Sequence, residues 1–143
     1  MKKNIIGLDQ EKSTKLVNEL NLLLANFQVY YQNVRGLHWN IKGKNFFELH
    51  VKFEELYTDA QEKVDMIAER ILTLQGKPIH TFDDYISISS VVVAKDVSNY
   101  VKAANVIVNS LSEFIYVKIK KQNYTYLMLF LFELDNQLLV LDN

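Results

Sequence analysis

The sequence predicts an all-α protein, a four-helix bundle with a short helix in the long connection between its second and third long helices. Three observations carry that expectation. Four Gly and one Pro among 143 residues are far below the usual share, so little in the chain interrupts a helix. No Gly or Pro follows Pro78, which leaves the C-terminal half without hairpin turn signals and argues against an all-β domain. Apolar residues also recur at spacings of three and four along most of the chain, the period of one buried helical face.

Asp9 is placed to cap a first helix over about residues 9–39, with Leu16, Leu20, Leu23, Leu24, Phe27, Tyr30, Tyr31 and Val34 on its apolar face. Asn40, Lys42, Gly43, Lys44 and Asn45 gather as turn formers, and the pattern resumes through Phe46, Leu49, Phe53, Leu56, Ile67 and Ile71. This second helix is expected to end near Gly76, with Pro78 beyond it, the usual C-terminal arrangement. In the connection over 77–90, the stretch from Thr81 to Ile86 suits one or two helical turns. A third long helix is expected over 91–121, where Lys118, Lys120 and Lys121 favour a C-terminal turn through the helix dipole. After Gln122 and Asn123, a fourth is expected over about 124–141. One long crossover in a bundle of four is the connectivity of ferritin-like folds. The fourth helix is apolar nearly all round and needs cover on every side. The expected cover is another subunit; the alternative is a central place in a monomer's own core. Residues 1–143 read as a single domain.

Sixteen Lys plus Arg against seventeen Asp plus Glu give a formal charge of −1, so bulk charge offers no footprint for nucleic acid or an anionic membrane. There is no Cys, which removes disulfides, thiolate zinc sites and cysteine nucleophiles. Any metal must therefore use His and carboxylates. The most apolar run, residues 124–132, is nine residues long, against roughly 18 for a membrane span. Lys2 and Lys3 are followed by Asn4, Asp9 and Glu11 with no sustained apolar core, so no secretory signal is expected and the cytoplasm is the expected compartment.

The second helix carries the informative spacing. His50, Glu54, Asp65 and Glu69 fall at about 0°, 40°, 60° and 100° around it, one continuous stripe. Asp65 and Glu69, one turn apart, can converge on a hard cation, and carboxylates with imidazole suit iron or manganese. His38, near the end of the first helix, can supply nitrogen. The alternatives stay open on spacing alone: Asp65 and Glu69 as a solvated face, Glu69 with Arg70 as a surface ion pair, and each His as a packed imidazole. His80 has no evident partner. The residues three before His38, His50 and His80 are Arg35, Phe47 and Lys77, so the Glu-x-x-His pattern of intrabundle di-iron sites is absent.

The run from Leu37 to His50, with Leu37-His38-Trp39-Asn40, Gly43, Phe46 and His50, followed by Phe53-Glu54-Glu55-Leu56-Tyr57 and Asp65-Met66-Ile67-Ala68-Glu69-Arg70, closely resembles the Dps family of miniferritins. The resemblance covers roughly residues 16–90 in detail and the remainder by helix plan. It implies a hollow shell of twelve four-helix-bundle subunits that oxidises iron(II), preferentially with hydrogen peroxide, at ferroxidase centres between subunits and stores ferric mineral. It implies that His38 of one subunit and Asp65 and Glu69 of another bind iron. His50 corresponds to the family's second histidine, at a weaker iron position, Glu54 falls where many members have an aspartate, and Trp39 matches an aromatic residue able to intercept stray oxidising equivalents.

Two departures bear on function. The acidic residues that line an iron-attracting pore in many members are replaced over residues 120–127 by Lys120-Lys121-Gln122-Asn123-Tyr124-Thr125-Tyr126-Leu127, and a common Trp of the last helix is replaced near Leu139. DNA binding in the family uses a mobile Lys-rich extension. Here only Lys2, Lys3 and Lys12 are available, so weak or no DNA binding is expected. The rival readings are a DNA-compacting nucleoid protein with a secondary iron site, and a helical shell that has lost iron handling.

Overall fold

The computed structural model describes residues 2–120, with side chains described to residue 114. Among the described residues four helices follow one another: α1 (Gln10–Asn40), α2 (Phe46–Thr73), α3 (Phe82–Ile88) and α4 (Tyr100–Lys120). Among the described residues there is no strand; Lys3 and Asp9 form one isolated antiparallel bridge. No helix among them is long and apolar enough to cross a membrane. Contacts divide the chain into two units, 1–110 and 111–143. Of the second, the last turns of α4 are described, with Leu111 and Phe114 buried. The fourth long helix expected over 124–141, with the apolar cover expected for it, the stretch 121–127, and Leu139 lie outside the described residues.

Asp9 caps α1 as its sequence position predicts, its Oδ1 accepting from the Lys12 N–H at 3.0 Å. α1 packs against both α2 and α3, and that double cover explains why every residue from Leu23 to Phe27 is buried. A helix covered on one side alone would bury three or four positions in seven. α2 is covered on one side only. Phe53, Leu56, Ala60, Ile67 and Ile71 form its buried face, and the turn 41–45 is fixed by Ile41, whose side chain is buried and whose N–H bonds to Leu37 O at 2.9 Å. Lys63 is buried beside Asp59, one turn before it, and the two form an ion pair. Burial, with Asp59 adding to it, pushes the Tyr30 phenol upward and keeps it neutral.

One sequence expectation is met here and one is corrected. α2 ends near Gly76 as expected, its last residue Thr73, in a Schellman motif: Gly76 N–H bonds Ile71 O and Gln75 N–H bonds Leu72 O, both at 2.9 Å. The left-handed residue is Gln75, at φ 62°. Gly76 serves a different need, because a Cβ there would sit 2.5 Å and 2.6 Å from the two methyls of Val17 on α1. The third long helix begins at Tyr100, nine residues after its expected start at Val91. Asn99 caps it, Oδ1 accepting from Val101 N at 2.9 Å and Lys102 N at 3.2 Å, and Asp96 sits at φ 57°, which breaks any continuous helix. The short helix in the crossover is present as α3, with Thr81 as its cap accepting from Asp84 N.

The residues before α4 are tied to α1 by side-chain amides of that helix. Asn33 donates to Val92 O at 2.8 Å and accepts from Ala94 N at 2.9 Å. Asn26, fully buried, accepts from Ser90 N at 2.8 Å and donates to Ser90 Oγ at 3.1 Å. Asn21 does the same for the start of the crossover, donating to Lys77 O and accepting from Ile79 N. Three asparagines thus satisfy backbone that has no regular ladder of its own.

Candidate metal centre

The turn between α1 and α2 folds the end of one helix onto the start of the next, and this brings His38 and His50 face to face. Their rings stack at 3.6 Å between centroids, 21° from parallel. Each Nδ1 bonds the other residue's backbone carbonyl, His38 to His50 O at 2.7 Å and His50 to His38 O at 2.9 Å. A carbonyl only accepts, so both Nδ1 atoms carry the proton, and in each neutral ring Nε2 is left with its lone pair. Anchoring of one ring nitrogen to a carbonyl is the arrangement that orients an imidazole for a metal. Phe46 stacks on the outer face of His50 at 5.1 Å, and Tyr57 meets His38 edge-on at 5.3 Å. His38 is buried and His50 half-buried.

Glu54, Asp65 and Glu69 are exposed, on the side of α2 opposite its core residues. At 100° per residue the same stripe carries Phe47, Val51 and Leu72, all of them exposed. The carboxylates therefore sit on an uncovered helix face bordered at both ends by apolar side chains. Among the described residues the ion pairs are Lys52 with Glu55 and Lys63 with Asp59, so the Glu69 and Arg70 pair does not form. His80 lies exposed in the crossover, its Nδ1 3.2 Å from Pro78 O.

Of the candidate ligands, the structure brings together His38 and His50 and keeps Asp65 and Glu69 apart from them. Fifteen residues of helix separate His50 from Asp65, about 22 Å at the α-helical rise. Among the described residues no three His, Asp or Glu side chains gather within one chain to hold a metal. Glu54, one turn from His50, is the nearest of the candidate carboxylates along α2. Trp39 is exposed beside the histidines, with the Arg35 guanidinium 4.9 Å from its ring.

The sequence assigns Arg35, Tyr31 and Tyr57 no part in a site, although Tyr31, Arg35 and Trp39 share the four-residue spacing of one helical face. Arg35 lies over Tyr31 and Tyr57 as well, 5.4 Å from each ring, and donates to Tyr31 Oη at 2.6 Å.

Residues 17–122 match the ferritin-like domain family. The solved Dps protein of Vibrio cholerae O1, described as a member of a broad superfamily of ferritin-like diiron-carboxylate proteins, superposes with a TM-score of 0.81 and 48% identity, over 84% of this chain and 76% of that one. The chain belongs to the Dps family of ferritin-like proteins. Its fold class is accordingly the all-α, ferritin-like four-helix bundle that the helix plan predicts. Among curated relatives, an uncharacterised protein of Haemophilus influenzae is 55% identical over 91 residues, 64% of this chain and 57% of that protein. The DNA protection during starvation protein of Porphyromonas gingivalis is 43% identical over 87 residues, 61% of this chain and 55% of its own length. The match spans little more than half the length of these two relatives.

Proposed function

We propose that this Dps-family chain is a miniferritin subunit, a ferroxidase that takes Fe(II) and hydrogen peroxide as substrates and stores the ferric product as mineral inside a homododecameric, cytoplasmic shell. One observation carries the reading: a single chain presents two oriented imidazole lone pairs at one end of α2 and, about 22 Å away on an exposed, apolar-bordered face, two carboxylates with no ion pair among the described residues. A two-fold contact between copies that sets the imidazole end of one against the carboxylate end of the other completes two sites at once, because an isologous contact is reciprocal. The reaction class follows from the donors. Imidazole and carboxylate suit Fe(II) and the harder Fe(III) product, and so few ligands leave positions for the oxidant. Two Fe(II) supply the two electrons that cleave the O–O bond of one hydrogen peroxide, which takes up two protons and leaves as two waters.

In this scheme His38 holds iron through Nε2, with Asp65 and Glu69 of a neighbouring copy. His50 and Glu54 attend a weaker second position. Trp39, exposed beside His38, is the side chain placed to be oxidised in place of others. The competing DNA-compacting reading relies on Lys2, Lys3 and Lys12, all exposed. Two or three phosphate contacts per chain give an interaction that salt removes.

The test is anaerobic loading of the assembled protein with Fe(II), followed by hydrogen peroxide, with ferric absorbance as the readout. Rapid formation of soluble mineral in the native protein, lost in Asp65→Ala/Glu69→Ala of unchanged assembly size, is the expected result. Equal, slow oxidation in both would end the ferroxidase reading. A tight gel shift with DNA at about 200 mM salt would favour the nucleoid reading instead.

A further inference from the structure

We infer that Arg35 is a positioning residue for His38, acting through the ring of Tyr57; the inference rests on the reading of His38 as a metal ligand. Arg35 is an unusual occupant of its place. Its guanidinium is shared among the rings of Tyr31, Trp39 and Tyr57, and among the described residues it has no carboxylate partner. Its Nε is buried with no hydrogen-bond acceptor. A buried donor without an acceptor opposes stability, so an apolar side chain of similar length would serve packing at least as well. What the guanidinium adds is direction: a flat cation attracted to ring faces, with one Nη1 donor fixed on Tyr31 Oη.

That direction is passed to the ligand in two contacts. Tyr57 makes a T-shaped contact with Tyr31, 6.2 Å between centroids and 82° between planes, and another with His38, 5.3 Å and 79°. His38 is thus held by three constraints of different kinds: its Nδ1 bond to His50 O, the stacked face of His50, and the perpendicular ring of Tyr57. The first two leave the imidazole able to tilt about its hydrogen bond. The third closes that tilt and aims Nε2, and Arg35 holds the tyrosines that supply it, by a short bond to Tyr31 Oη, which donates at 3.5 Å to Gln61 Oε1. The cage and the ligand lie together because Arg35 precedes His38 by three residues on α1, while Tyr57 follows His50 by seven on α2.

The experiment compares the assembled native chain with Arg35→Met, which keeps length and apolar bulk, and Arg35→Lys, which keeps charge without the plane. Co(II) is titrated and followed by quenching of Trp39, the one Trp of the chain. Separately, without metal, acylation by diethyl pyrocarbonate is mapped at His38 relative to His80. Both variants are expected to keep native helix content and assembly size, to bind Co(II) about tenfold more weakly, the scale of a lost ligand-orienting contact, and to label faster at His38 relative to His80. Native Co(II) affinity with an unchanged labelling ratio in Arg35→Met would overturn the inference, and recovery of both by Arg35→Lys would reduce Arg35 to a point charge and overturn it too. If His38→Ala leaves the native Co(II) titration unaltered, the metal reading fails, and the labelling ratio still decides whether Arg35 holds the ring.

Discussion

The crossover between α2 and α4 and the outer face of α2 are opposites in a way that helix content conceals. The crossover is irregular, yet its backbone is engaged at each stage of its path along α1: by Asn21 at Lys77 and Ile79, by Asn26 at Ser90, and by Asn33 at Val92 and Ala94. The face of α2 is regular helix, yet Glu54, Asp65 and Glu69 stand exposed on it, with no ion pair among the described residues. Buried polar groups paired within the chain mark the part of the molecule that holds itself together, whereas the exposed carboxylates of α2 are left to solvent and, on the proposed function, to a metal shared with another copy.

That contrast orders the effects of substitution on subunit stability. Asn26→Ala and Asn33→Ala should each cost about 2 kcal/mol, since each removes a buried amide and strands backbone or hydroxyl partners; urea denaturation of the metal-free protein measures it, and a loss under about 0.5 kcal/mol for both would dissolve the comparison. Gly76→Ala should cost about 1–2 kcal/mol from the forced approach to Val17. Adding Val17→Ala should return part of that loss as a coupling between the two sites. Gln75→Gly should raise stability by about 0.5–1 kcal/mol, because it removes the left-handed strain of a side-chain-bearing residue against a small entropic cost. Asp65→Asn/Glu69→Gln should stay within about 0.5 kcal/mol of native while iron oxidation is lost, and a large stability change there would give that face a structural role.

Local signals were legible where a residue acts on its own neighbours. Asp9 as a cap, the apolar period of α1 and α2, and the turn at Gly43 could all be read directly. Long-range needs were not. Gly76 looked like a helix-ending glycine because one lay at the expected place, but its reason is Val17, 59 positions away in sequence, and the left-handed duty falls on Gln75. The valines at 91–93 continued an apolar period that Asn33, on another helix, overrides; Asn99 was the cap signal that marked the true start of α4. At the candidate site, the spacing of Asp65 and Glu69 and the two histidines were legible as separate features. Their mutual hydrogen bonds were not, since these exist only after the turn at 41–45 has folded α1 onto α2.

Those reciprocal bonds have a bearing on how the histidines are inherited. The carbonyl of His38 belongs to the last turn of α1, where carbonyls lack helical partners, and the His50 ring supplies the missing donor. The imidazoles are therefore also the latch of the α1–α2 corner. If the proposed iron chemistry were lost, a lineage would still be under selection to keep both histidines for the corner's sake, whereas among the described residues no ion pair of the subunit's own holds Asp65 or Glu69. On the proposed ferroxidase reading, it is the two carboxylates that would drift first in descendants of this chain once the chemistry was abandoned.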